Sequence, residues 1–193
     1  MSKVNNVLLS GVGGQGIILA SKVLSAGLIE AGYDVKMSEV HGMSQRGGSV
    51  TTQVRFGEKV YSPIIGFGQA DILVAFEKME GGKWLDHLNP KGKMVINNHK
   101  LPSAPILTGK KEYPKGIIDE IKTKIDSVTV VEGPKLAKEV GNPKTMNIII
   151  IGALVKSLGL EDKVDWDKII EDIIKDKYVE VNKKAFELGK NQV

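Results

Sequence analysis

Two short polar stretches carry the residue types that could do chemistry. The first, residues 11–16, reads Gly-Val-Gly-Gly-Gln-Gly, after a short apolar run and before a helical pattern. Gly11, Gly13 and Gly16 fit the dinucleotide spacing G-x-G-x-x-G. With Gly14 and Gln15 they form a turn that brings bare backbone N–H groups to the mouth of a helix. There the helix dipole attracts a phosphate or a carboxylate. The competing reading is a glycine turn that only lets the first helix pack close to a sheet. The second stretch, residues 40–49, gathers His41, Ser44, Gln45, Arg46 and Gly47 in a glycine-rich loop without helical period. The Arg46 guanidinium can fork onto a carboxylate or phosphate, and His41 can donate, accept or shuttle a proton. The plain alternatives are a hydrogen-bonded loop histidine and an arginine that pins the loop to its own backbone. Glu39 stands about where a dinucleotide-binding unit places an acid on a ribose. Its other reading, a strand-end carboxylate facing water, is favoured by the break from the nucleotide pattern that follows it.

The elements that must position these stretches alternate along the chain. A strand precedes Gly11, a helix covers 16–31 with Gly32 as its stop, and a second strand covers 33–40. Residues 50–56 alternate apolar and polar, 57–59 turn, and 60–65 return, which reads as an antiparallel hairpin with Pro63 at an edge. A dinucleotide domain would have a crossover helix there. Residues 71–77 form a continuous apolar strand of the buried parallel kind. A helix over 80–88, a turn at 89–92 and a strand over 94–97 follow, and Asn97, Asn98 and His99 lie past its end, on the side of the His41 loop. Residues 101–109 read as irregular, 116–125 as a helix, 127–131 as a strand and 134–140 as a helix. The run 147–155 is apolar around most of its circumference, which fits a central helix or a partner interface equally. Residues 166–188 carry two amphipathic stripes. The whole pattern predicts an α/β fold: one domain spanning 1–193, a three-layer Rossmann-like arrangement whose mostly parallel sheet carries an antiparallel hairpin.

Composition narrows the function classes. The net charge of +4 is modest and aromatic residues make up only 5%, so no basic, aromatic-interleaved surface points to nucleic acid. There is no cysteine, which removes disulfides, thiolate zinc sites, cysteine nucleophiles and cysteine-ligated iron–sulfur clusters as things this chain could supply. No apolar run approaches the roughly 20 residues of a membrane span. With no signal-like leader either, a cytoplasmic location is the expectation.

Residues 6–16 (NVLLSGVGGQG) resemble the opening of the gamma-type subunits of 2-oxoacid:ferredoxin oxidoreductases. Residues 38–48 (SEVHGMSQRGG) are similar to the second signature of that family. Residues 37–48, with Val181, Asn182, Ala185 and Phe186 in the tail, look most like the small subunit of its indolepyruvate-oxidising branch. The resemblance spans nearly the whole chain. It implies a complex that decarboxylates a 2-oxoacid oxidatively on thiamine diphosphate and Mg²⁺, passes electrons through [4Fe–4S] clusters to ferredoxin, and hands the acyl group to coenzyme A. Thiamine and clusters are expected on a large alpha subunit, so this chain is expected to bind no cofactor alone and to be inactive alone. The chain has no Gly-Asp-Gly of the kind that binds thiamine diphosphate through magnesium. The glycine turn and the 41–48 loop would contact that partner, and with it coenzyme A phosphates or the substrate carboxylate. The resemblance assigns no catalytic residue here. The alternatives are a self-sufficient nucleotide- or flavin-binding oxidoreductase and a purely structural scaffold.

Overall fold

The computed structural model describes residues 4–41 and 47–193. One six-stranded sheet has the order β2-β3-β1-β4-β5-β6. Its strands are β1 (Asn5–Val12), β2 (Asp34–His41), β3 (Ser49–Gly57), β4 (Ala70–Ala75), β5 (Leu88–Asn97) and β6 (Ser127–Val131). The pairs β1·β4, β4·β5 and β5·β6 are parallel, while β3 is antiparallel to both β1 and β2. A mostly parallel sheet with one reversed strand is the expected fold class.

Period-two burial sorts the strands into two cores. Val7, Leu9, Ile72, Val74 and Val95 face one side, where α1 (Ile17–Glu30), α6 (Met146–Leu158), α7 (Trp166–Ile173) and α8 (Val179–Lys190) pack. Leu8, Leu73, Ala75, Met94 and Ile96 face the other, under α2 (Lys78–Lys83) and α4 (Ile117–Lys124). Two short helices, α3 (Ala104–Leu107) and α5 (Gly133–Val140), complete the set used below. The apolar run in α6 is buried inside this chain from Asn147 to Val155. Its backbone comes so close to α8 that a Cβ on Gly152 would run into the Phe186 carbonyl, and one on Gly189 into that of Ile149. Trp166 stacks on Phe186 at 5.6 Å and donates its indole N–H to Leu160 O at 2.9 Å. Among the described residues no helix is long and apolar enough to cross a membrane.

Four local expectations are corrected. The hairpin is β2–β3, with 50–56 as its second strand; residues 60–65 form no strand. Pro63 has no N–H for a ladder, and side chains of β2 and β3 take up the segment's backbone instead. The Asp34 carboxylate accepts from Val60 N, Arg55 donates to Ser62 O and Ile64 O, and Gln53 Oε1 accepts from Ile65 N. The helix expected over 80–88 begins earlier, because the buried Glu77 caps its N-terminus by accepting from Glu80 N at 3.0 Å, and it ends at Lys83. Residues 89–92 lie within β5, at an irregularity in its pairing with β4. A short turn of helix, α3, also interrupts the stretch expected to be irregular.

Candidate functional site at the carboxyl edge of the sheet

The site grows from the way β1 stops. After Val12 the chain turns through Gly13 and Gly14 (φ +99°) and enters α1 from Gly16 at φ +76°. This left-handed conformation favours glycine. Gln15 holds the turn closed. Its Oε1 accepts from Val12 N at 2.8 Å, and its Nε2 donates to Phe76 O at 3.0 Å, just past β4. Gln15 therefore ties β1 to β4 rather than facing a ligand with a free side chain. Gly11 is a packing position: a Cβ there would lie 2.8 Å from both Gln15 Oε1 and Ile17 Cδ1. Gly13, Gly14 and Gly16 are left to present backbone. Gly13 N donates to Gly48 O at 2.8 Å, whereas the amides of Gly14 and Gly16 have no partner among the described residues.

The second stretch meets the first at this point. Gly47 N donates to Gly13 O at 3.4 Å, and His41 is the last residue of β2, paired in register with Val50. Gly13 is thus stitched to Gly47 and Gly48, and the two polar segments come together at the carboxyl end of β1. Ser44, Gln45 and Arg46 lie outside the described residues. Glu39 lies in β2 opposite Thr52, and β3 separates its strand from β1. A dinucleotide unit places its acid on the strand beside β1, so the ribose role has no support in this topology.

On the other side of the turn a cavity of about 520 Å³ opens, lined by Gly13–Gly16, His99, Leu101, Lys144 and Asn147 among others. Asn147, in the first turn of α6, donates its Nδ2 to Gly16 O at 3.1 Å. His99 reaches the wall through a chain of buried contacts. Asn97 donates to Phe76 O at 3.2 Å and accepts from Gly133 N at 3.2 Å, and Lys78 N donates to His99 O at 3.1 Å. Burial pushes the His99 imidazole below its ordinary 6.5; the Glu77 carboxylate opposes this and Lys78 reinforces it. At neutral pH the wall therefore carries a neutral imidazole, while Lys144 brings an exposed positive charge to the rim.

Behind the wall Glu77 is fully buried. Besides capping α2 it accepts from Leu101 N at 3.3 Å and from the Tyr113 hydroxyl. Burial, with the hydrogen bond and the charge of Glu77 added, drives the Tyr113 phenol far above its ordinary value, so it stays a donor. Glu80, also buried, accepts from the Ser49 hydroxyl and from Lys83, each at 2.6 Å. This reaches the first residue of β3. Sequence reasoning placed Asn97–His99 on the correct side but missed Asn147, Glu77 and Tyr113. The available signals were an asparagine opening an otherwise apolar run and a carboxylate ending a buried strand.

The arrangement can hold an anion against unpartnered amides at a helix N-terminus, with cationic and neutral donors around it. Among the described residues it offers no nucleophile–base pair, and no group of three or more His, Asp or Glu side chains could hold a metal.

Residues 6–192 match the family model of the pyruvate ferredoxin/flavodoxin oxidoreductases. The indolepyruvate oxidoreductase subunit IorB of Thermococcus kodakarensis is 37% identical over 193 residues, covering 97% of this chain and 95% of that protein. The gamma subunit of a keto/oxoacid ferredoxin oxidoreductase from Geobacter sulfurreducens shares the fold, with TM-score 0.72 and 24% identity over 97% of each chain. The 2-oxoglutarate:ferredoxin oxidoreductase of Magnetococcus marinus contains the same fold, with TM-score 0.76 and 20% identity, covering all of this chain and 31% of that one.

Proposed function

This chain belongs to the pyruvate ferredoxin/flavodoxin oxidoreductase family, and from that membership we propose its role: the small, gamma-type subunit of an oxidoreductase that converts an arylpyruvate such as indolepyruvate to its acyl-coenzyme A and reduces ferredoxin. The 37% identity to an indolepyruvate oxidoreductase subunit over nearly the full length of both chains supports the substrate class. Thiamine diphosphate with Mg²⁺ and the [4Fe–4S] clusters belong, in this reading, to a large companion subunit. A chain without cysteine has no thiolate to give a cluster, so no step of the redox chemistry is assigned to its residues. It works in the cytoplasm as part of that complex and is inactive alone.

What this chain contributes is shape and charge at the carboxyl edge. One observation carries the reading: Gly13 is bonded to both Gly47 and Gly48, joining the two glycine-rich signatures into one surface, with the Gly14 and Gly16 amides unpartnered among the described residues. We assign to that surface the contact with the large subunit and with an anionic group, either a coenzyme A phosphate or the substrate carboxylate. The contacting set is Gly13, Gly14, Gly16 and Gly47, with His41, Ser44, Gln45 and Arg46 from the signature between them and Arg46 as the charge partner. Gly11 and Gln15 shape the turn from behind. The test is Arg46→Ala in the complex co-expressed with the large subunit. The expected result is normal assembly with KM for coenzyme A or for the 2-oxoacid raised about tenfold, the worth of one charge-assisted contact. Wild-type assembly and wild-type kinetics would remove Arg46 from the site, and loss of assembly alone would make the surface a scaffold. Steady turnover of an arylpyruvate by the purified lone chain would overturn the subunit reading.

A further inference from the structure

We propose that the strap formed by residues 58–69 is the anchor by which the large subunit holds this chain, with Tyr61, Ile64 and Phe67 entering an apolar groove on that partner. The proposal rests on the functional reading above, which requires a permanent companion. The strap crosses β3 on the face of the sheet opposite α1. Val60 and Ile65 plug inward and are buried, whereas Tyr61, Ile64 and Phe67 are 89%, 56% and 76% exposed. Val40, 51% exposed, lies in register with Thr51 on the same face.

Three large apolar side chains directed at water within seven residues need a reason, since surface patches of this kind mark interaction sites. Looseness is not the reason, because the strap is fastened along its length. Asp34 takes the Val60 amide at 3.0 Å, and Arg55 holds the Ser62 and Ile64 carbonyls at 2.9 and 3.2 Å. Gln53 takes the Ile65 amide at 2.5 Å, and Gly68 N donates to Asp86 O at 2.9 Å. The Phe67 ring rests 4.4 Å from that of His87. A preorganised apolar loop loses little entropy on docking.

The surface suits a lasting contact rather than an electrostatic encounter. Two aromatic rings and an isoleucine offer roughly 400 Å², about half of the roughly 800 Å² that each side of a standard stable interface buries. Aromatic residues are also the enriched anchors of such interfaces. In the Magnetococcus enzyme the same fold occupies 31% of a longer chain, and this is the setting the proposal assumes for the companion here.

The experiment is co-expression of the Tyr61→Asp/Phe67→Asp double variant with the large subunit, with a Tyr61→Ser/Phe67→Ser pair alongside. Both positions are exposed, so the isolated variants should keep the circular dichroism spectrum and melting temperature of the parent. Affinity for the large subunit should fall at least about 100-fold, as for loss of two interface anchors. If the aspartate pair does not fold, the serine pair decides alone. Complex formation at parental affinity by a folded variant would overturn this proposal and leave the functional reading intact. Failure of the parent chain to bind the large subunit would sink both. A parental homodimer that the substitutions split, with the large subunit still bound, would assign the strap to a second copy and also overturn the proposal.

Discussion

The carboxyl edge of the sheet and the strap over β3 solve opposite problems with the same device. At the carboxyl edge the buried Glu77, Asn97 and Asn147 and the partly buried Gln15 hold backbone in place, and the amides of Gly14 and Gly16 are left without a partner among the described residues. At the strap, partly buried polar side chains (Asp34, Gln53, Arg55) do the holding, and apolar rings face out. The first region is suited to a polar ligand, the second to an apolar partner. The difference should show in energetics. A bond to a buried carboxylate leaves costly unsatisfied donors when it is lost, whereas a bond near solvent is replaced by water.

The sharpest way to break the comparison is to remove one holder from each side. Glu77→Ala strands three donors at once, Glu80 N in a buried setting and Leu101 N and the Tyr113 hydroxyl in partly buried ones. It should cost about 3 kcal/mol or more in denaturant unfolding. Gln53→Ala strands a single donor, Ile65 N, in a partly buried setting, and should cost about 1 kcal/mol. Equal losses would mean that the two regions are held alike.

A second effect falls on the glycine turn itself. Gly16→Ala puts a Cβ 2.6 Å from Asn147 Nδ2 at a residue with φ +76°. Strain of this kind costs about 1–3 kcal/mol, and the displaced Asn147 gives up its bond to Gly16 O. The expected reading is a drop of that size in unfolding free energy, together with faster amide exchange at Ile17–Ala20. Gly14→Ala has free space around its Cβ and meets only the backbone penalty, so its loss should be smaller. The reverse order would mean that Asn147 does not fix the entry to α1.

These residues also show what the sequence makes legible. The apolar alternation of residues 7–9 and 71–75 reports the two faces of the sheet directly, because burial on a strand repeats every second residue. The glycine segments at 11–16 and 38–48 were recognisable as signatures, and Gly13 joins them. Residues 60–65 were misread as a return strand because they carry the same apolar residues as one. What settles them is their capture by Asp34, Gln53 and Arg55, and no local pattern encodes that. Asn147 lies 131 residues from the glycine carbonyl it holds, and Tyr113 36 from Glu77. Such pairings are products of topology and have no short-range trace.

The smallest effect expected lies in the strap and is a matter of pH. Asp34 accepts from Lys36 and from Val60 N, and these bonds, that of Lys36 first, lower its carboxyl from 3.8 to about 2. Between those values the unfolded chain binds a proton that the folded chain refuses, so stability rises with pH across that window. The contribution is complete above about pH 4 and disappears as pH falls through 2. Because the group is solvent-screened, the effect should be slight. It is read by comparing the parent with Asp34→Asn in urea unfolding from pH 2 to 5. The parent should lose its advantage below pH 4 and the two curves should converge near pH 2. A gap of constant size across that range would show that the Val60 amide, and not the charge, is what Asp34 secures.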